Sequence, residues 1–173
     1  MTTTATSHLP SELDRIADAR ADYAALRSRV EDGEPWPLAE KFGTEPEASW
    51  GPLEVLAHLA EMLPFWLGEL ERVVDGNGIT PAPFGRVADD ALRIGVIDRD
   101  RTLPVRALFA RVDTGLWSWL DRLPRLTDVE RGKAGLHPRL GEMPAARIAE
   151  RFVLSHAEEH LAQLQEILAE AGR

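Results

Sequence analysis

Four stretches of the sequence carry apolar residues at the spacing of an α-helix, and stretches rich in Gly and Pro separate them. No stretch alternates between apolar and polar residues for long enough to predict a strand. The predicted helices run from about Ser11 to the residue before Gly33, from Pro52 to about Asp75, from a cap at Thr102 to Pro124, and from about Met143 to Ala171. The pattern predicts an all-α chain folded as a single four-helix bundle, with one short helical turn near 88–94.

The length and composition describe one globular domain. A chain of 173 residues typically buries about 70% of the surface that its unfolded form exposes, so its core forms without disulfides or a structural metal. Residues 1–10 contain neither the basic stretch nor the apolar run of a signal peptide. We expect a disordered tail there, followed by the bundle domain over 11–173, and we expect the protein in the cytoplasm.

The charge and the residue inventory argue against several classes of function. The formal net charge is −9, and Lys and Arg do not cluster, which argues against a nucleic-acid partner. No apolar run is long enough to predict a membrane span. The chain has no cysteine, so a metal site must use His, Asp or Glu, and a cysteine nucleophile is excluded.

Three histidines lie in predicted helices at positions that can be phased. At about 100° per residue, His156 and His160 fall near one edge of the apolar arc of the fourth helix, and His58 falls at the edge of the arc of the second. Residues four apart are neighbours on a helix face, so His156 and His160 can converge on one ion. This phasing permits a three-histidine site between helices; the alternative is hydrogen-bonded core histidines.

Three short motifs resemble those of the DinB/YfiT-like metalloenzyme family. They are WGPLEVLAHLA at 50–60, HPRLG at 137–141 and SHAEEHLAQL at 155–164, in four predicted helices of family-like order and length. The resemblance implies a bundle in which His58, His156 and His160 bind a divalent metal. Characterised relatives include bacillithiol and mycothiol S-transferases, a mycothiol-dependent isomerase and the metal-binding domain of ergothioneine synthases.

A three-histidine site leaves coordination positions open, as catalytic metal sites do. An ion there acts as a Lewis acid, lowers the pKa of a bound water towards about 7, or deprotonates a bound thiol. Because the chain has no cysteine, a thiol must arrive as a cosubstrate. The leading interpretation is a thiol-dependent S-transferase acting on a small electrophile. The alternatives are a hydrolase using metal-bound water and a non-enzymatic bundle that binds a metal or ligand. Zinc or nickel is expected, with iron, manganese or cobalt as alternatives.

Two further polar residues are candidates for the chemistry. Glu61 lies near the azimuth of His58, and Gln163 follows His160 on the same helix edge, where it can orient a ligand. Glu54 is interpreted as a first-turn acid that complements the helix dipole, with a role near the metal as the alternative.

The remaining motif and the other two histidines receive no catalytic role. Glu159 completes an H-x-x-E-H sequence typical of certain zinc peptidases, but the phase of the helix puts Glu158 and Glu159 on its solvent face. Those peptidases are also larger proteins that contain a β-sheet, and no sheet is predicted for this chain. His8 and His137 lie in the predicted tail and in a loop.

The apolar arc of the second helix, from Phe65 round to Leu67, is wider than a bundle helix needs to face its neighbours. A second copy of the chain in a two-fold homodimer is expected to cover the excess. The alternative is that the connection over 76–100 folds over this face.

Overall fold

The computed structural model describes residues 11–40, 42 and 47–172. The predicted tail over 1–10, with His8, lies outside the described residues. The helices are α1 (Glu12–Asp32), α2 (Pro52–Val74), α3 (Ala91–Asp100), α4 (Val105–Arg122), α5 (Asp128–Gly132), α6 (Ala146–Ala149) and α7 (Ser155–Ala171). A π-helical segment, Glu150–Leu154, joins α6 to α7 without a break.

The long helices form the predicted bundle. Both α1 and α2 pack against α4 and against α7, so α1 and α2, although consecutive in the chain, lie diagonally across the bundle. Buried side chains fix these pairs: Trp119 Nε1 donates a hydrogen bond to the Leu63 carbonyl at 3.0 Å, and the Tyr23 hydroxyl donates one to the Ala157 carbonyl at 2.7 Å. Within the described part of the chain, no helix is long and apolar enough to cross a bilayer.

Two predicted helix starts are wrong. The third long helix, α4, begins at Val105 with Pro104 at its cap, whereas the Thr102 hydroxyl donates to the Arg99 carbonyl and closes the turn after α3. The fourth does not begin at Met143, which lies in a strand. The short turn expected near 88–94 is the beginning of the ten-residue α3.

The chain also contains a small sheet that the sequence did not predict. Strand β1 (Ala82–Pro83) pairs in parallel with β2 (Ala134–His137), which pairs antiparallel with β3 (Gly141–Pro144). Strands of two to four residues are too short to show an alternating pattern. The sheet joins the connection after α2 to the hairpin before α6, and the bundle remains the main architecture.

Candidate metal centre

Helices α2 and α7 bring the three predicted histidines together. His58 lies in the second turn of α2, and His156 and His160 lie in the first two turns of α7. The Nε2 atoms of His58 and His156 are 2.9 Å apart, and the three ring centroids are separated by 4.7–5.1 Å. His58 and His160 are buried, while His156 is half-buried. The three rings therefore face one common point from two adjacent helices.

Glu47 is a fourth member of this cluster that the sequence did not single out. It lies in a 3₁₀ turn, Glu47–Ser49, just ahead of α2. Its Oε2 is 3.5 Å from His156 Nε2 and 3.6 Å from His160 Nε2. One nitrogen or oxygen from each of the four side chains lies within 4.8 Å of the others. Glu47 is one of four glutamates in the linker over 33–50, and nothing in their pattern distinguishes it.

The π-helical segment sets the rotational phase of α7. A π turn holds one residue more than an α turn, which rotates the following residues by about 100° relative to a continuous α-helix. The segment therefore determines where His156 and His160 point. It also carries Arg151 and Phe152, which line the same cavity as His156. π-Helical turns inside α-helices occur frequently at functional sites.

Gln163 fixes the orientation of the His160 ring. Its Nε2 donates to the main-chain carbonyls of Glu47 at 2.8 Å and Trp50 at 3.3 Å, which leaves Oε1 to accept from His160 Nδ1 at 2.8 Å. With its proton on Nδ1, the neutral His160 ring presents a lone pair at Nε2. A hydrogen bond at the far nitrogen is the usual way proteins orient a metal-binding histidine.

Arg93 from α3 lies behind the cluster. Its guanidinium forms an ion pair with Glu47, donates to the Ala88 carbonyl at 2.9 Å and lies 3.4 Å from His58 Nδ1. Burial holds the pKa of His58 well below its ordinary value, and the charge of Arg93 lowers it further. His58 is therefore uncharged at neutral pH, as a metal ligand must be.

The Glu47 carboxylate stays ionised. Burial acts to raise its pKa, but the contacts with His156 and His160 and the positive charge of Arg93 outweigh that effect and hold the pKa far below its ordinary value. Glu47 thus keeps a negative charge at the cluster, and this charge offsets part of the positive charge of an ion bound there.

The donor set fits a divalent first-row metal. His160 Nε2 is fully buried and has no hydrogen-bond partner among the described residues, an arrangement that is costly unless a further group satisfies it. His58 and His156 point their Nε2 atoms at each other. Three imidazole nitrogens with one carboxylate form a set that zinc, nickel and iron accept.

A small cavity adjoins the cluster. Its volume is about 190 Å³, and its lining includes Glu47, His58 and His156 of the cluster. Arginine and aromatic side chains also line it, among them Arg86, Arg93, Arg151, Trp66 and Phe152. A group bound near the cluster therefore meets both charged and flat apolar surfaces.

The other candidate residues lie outside the cluster. Both carboxylate oxygens of Glu61 accept from Arg86, at 2.6 and 2.5 Å. Glu159, the glutamate of the H-x-x-E-H motif, is exposed and is not among the four residues of the cluster. Glu158 forms a two-bond pair with Arg15 of α1.

Glu54 serves the start of α2, as its interpretation as a first-turn acid predicts. This fully buried carboxylate accepts from the Gly51 and Ala39 main-chain amides and from Arg101. It thereby holds the linker and the end of α3 against α2, and it is not among the four residues of the cluster.

His137, which the sequence analysis left without a role, is buried and lines the cavity. Its ring stacks on Phe152, with centroids 5.2 Å apart, and it closes the short sheet at the end of β2. The HPRLG stretch contains His137 but does not predict the hairpin of β2 and β3, and it is this hairpin that turns the ring towards the cavity.

Comparison with solved structures relates the fold to that of a bacterial protein. Neither a protein-family model nor a curated protein sequence matches the chain. YfiT from Bacillus subtilis, described as a probable metal-dependent hydrolase with an unusual four-helix bundle topology, superposes with a TM-score of 0.62 at 13% sequence identity. The match covers 98% of this chain and 93% of YfiT. The chain therefore shares the four-helix bundle fold of YfiT.

Proposed function

We propose that the protein is a metal-dependent hydrolase of a small molecule, with His58, His156 and His160 as metal ligands and Glu47 as the acidic member of the site. The observation that carries the proposal is the convergence of three imidazole nitrogens and one carboxylate within 4.8 Å. The likeness in fold to YfiT, described as a probable metal-dependent hydrolase, supports it. When bound, the ion supplies Lewis acidity and lowers the pKa of water.

The protein's own residues hold this arrangement rigid. Gln163 orients His160, and Trp50 packs against two of the rings, parallel to His160 and edge-on to His58. Because its pKa is held so low, Glu47 is poorly suited to take up a proton and acts as a fixed negative charge. We propose zinc or nickel as the ion, since three histidines with one carboxylate suit both.

A second candidate function, thiol S-transfer, is favoured by a second cavity. A groove of about 680 Å³ shares Arg86 with the small cavity and is also lined by Phe65, Phe84 and Arg72. This groove offers room for a second substrate beside the first. The chain contains no cysteine, so the thiol would bind there as a cosubstrate.

Metal removal tests the proposed function. Chelation is expected to abolish turnover of small esters and amides, while the metal-free protein keeps its helical circular dichroism and melts cooperatively, because a core of this size folds without an ion. Activity assays before and after re-addition of zinc or nickel check this. Product that forms only when a low-molecular-weight thiol and an electrophile are both present would favour the transferase. Loss of the helical signal on chelation would favour a structural metal.

We also propose that the protein forms a two-fold homodimer through α2 and α4. Arg86, from the connection after α2, lies 3.7 Å over the Phe65 ring and so covers one edge of the wide apolar arc. The other edge stays open as a depression of about 460 Å³ lined by Pro64 and Leu67 of α2 and Gly115 of α4. Sedimentation equilibrium at micromolar concentration should give about twice 19.2 kDa. A mass near 19.2 kDa would show that this face needs no second copy.

A further inference from the structure

The cavity beside the cluster carries an excess of positive charge in a protein that is acidic overall. Glu47 is the one carboxylate among the residues that line it, against three arginines. Arg93 is paired with Glu47, and Arg86 is paired with Glu61. Among the described residues, no carboxylate pairs with Arg151, which is exposed at the cavity. One guanidinium therefore remains free to bind an anion.

The His137 ring lines the same cavity and is held by main-chain contacts. The main-chain amides of Arg139 and Leu140 both donate to His137 Nδ1 at 3.2 Å, so the proton of the neutral ring is on Nε2. Burial lowers the pKa of this ring, and a main-chain hydrogen bond with Arg86 acts to raise it. Because Nε2 is itself buried, His137 shapes the cavity wall, and Arg151 supplies the unpaired donor.

The local backbone is shaped to hold the His137 ring in this place. Gly85 has φ +82, and a Cβ there would lie 2.4 Å from His137 Cδ2. Only glycine allows the chain to pass so close to the ring in this conformation. The β2–β3 turn supplies the two amides, so the sheet that the sequence did not predict serves to aim this side chain.

The rest of the wall is flat and apolar. The Phe152 ring stacks on Trp66 with centroids 4.0 Å apart and on His137 with centroids 5.2 Å apart. At about 190 Å³ the cavity is smaller than the roughly 300–1,000 Å³ of pockets for drug-sized ligands, so it suits a small molecule with a planar body.

We propose that this cavity is the substrate pocket and that it takes a small carboxylate with a flat apolar body. Arg151 binds the carboxylate, and the body of the molecule lies against Phe152 and Trp66. The proposal rests on the proposed function for the part that the metal cluster plays, because the substrate's reacting end would face His58 and His156. The anion-binding part rests on the cavity alone.

Binding measurements on chelated and on metal-loaded protein test the proposal. The probes are acetate, benzoate and phenylacetate, each paired with its uncharged amide. Isothermal titration calorimetry should show benzoate binding to both forms of the protein and at least about 10-fold more tightly than benzamide, because a hydrogen-bonded charge is lost in the amide. Arg151→Gln should weaken benzoate binding by at least about 10-fold.

Arg106→Gln is the matched control, since Arg106 is exposed on α4 and does not line the cavity. It should leave benzoate binding unchanged. Equal binding of amides and carboxylates, no binding of any carboxylate, or binding that survives Arg151→Gln would overturn the proposal. If benzoate binding depends on Arg151 but the protein takes up no metal, the anion-binding pocket is supported and the metal-dependent function is refuted. Failure of the pocket and failure of the proposed function are therefore distinguishable.

Discussion

His156→Ala should remove the bound metal without unfolding the protein. The substitution deletes one of three imidazole ligands, and loss of a group that merely orients a ligand already lowers metal affinity by about 10–100-fold, so loss of a ligand should exceed about 100-fold. The His156 side chain is half-buried and outside the apolar core, so the fold should lose little. Elemental analysis after dialysis against a weak chelator should give about one ion per chain for the wild type and almost none for the variant.

The matched control is His8→Ala, which removes a histidine outside the three short motifs. It should keep the wild-type metal content. Circular dichroism and a thermal melt of the metal-free His156→Ala protein should match those of the metal-free wild type. Full metal occupancy in this variant would remove His156 from the site, and collapse of its helical signal would show that the ring is mainly structural.

The helices and the three histidines could be predicted because each depends on local periodicity. Apolar spacing located α2 and α7, and phasing placed His58, His156 and His160 at the edges of the apolar arcs, from which they could meet. Glu47 could not be found in this way, because its place depends on a linker that has no period. It reaches the cluster through an ion pair with Arg93 and through contacts between its turn and Gln163.

The π-helical segment and the sheet escaped prediction for a related reason. The π-helical segment Glu150–Leu154 places one extra residue in a turn and so changes the helical phase of the residues that follow. The apolar pattern of the sequence does not reveal this change, because the apolar arc is broad enough to accommodate it. The strands are held by pairing rather than by their own alternation: Ala82 pairs with Gly135, far along the chain, and Leu136 pairs with Glu142 across a tight hairpin. His137 therefore looked like a loop residue, although the sheet turns it into the cavity.

Gln163→Leu should weaken metal binding by about 10–100-fold while the metal-free protein stays folded. The wild-type side-chain amide accepts a hydrogen bond from His160 Nδ1 and donates hydrogen bonds to two carbonyls of the linker. It therefore holds both the His160 ring and the turn that carries Glu47. Leucine has a similar size but neither accepts nor donates a hydrogen bond, so His160 can rotate away from the common point. Competition with a chromophoric chelator measures the affinity, and a thermal melt of the metal-free form reports on the fold.

Two variants separate positioning of His160 from a general structural effect. Gln165→Leu makes the same chemical change at an exposed position of α7 and should leave the metal affinity unchanged. Gln163→Glu keeps an acceptor for His160 Nδ1 but loses both donors to the linker carbonyls, so its affinity should lie between those of the wild type and Gln163→Leu. If Gln163→Leu binds metal as tightly as the wild type does, Gln163 does not position His160. If Gln163→Glu and Gln163→Leu are equally weak, the contacts to the linker carry the effect, and the place of Glu47 matters more than the orientation of His160.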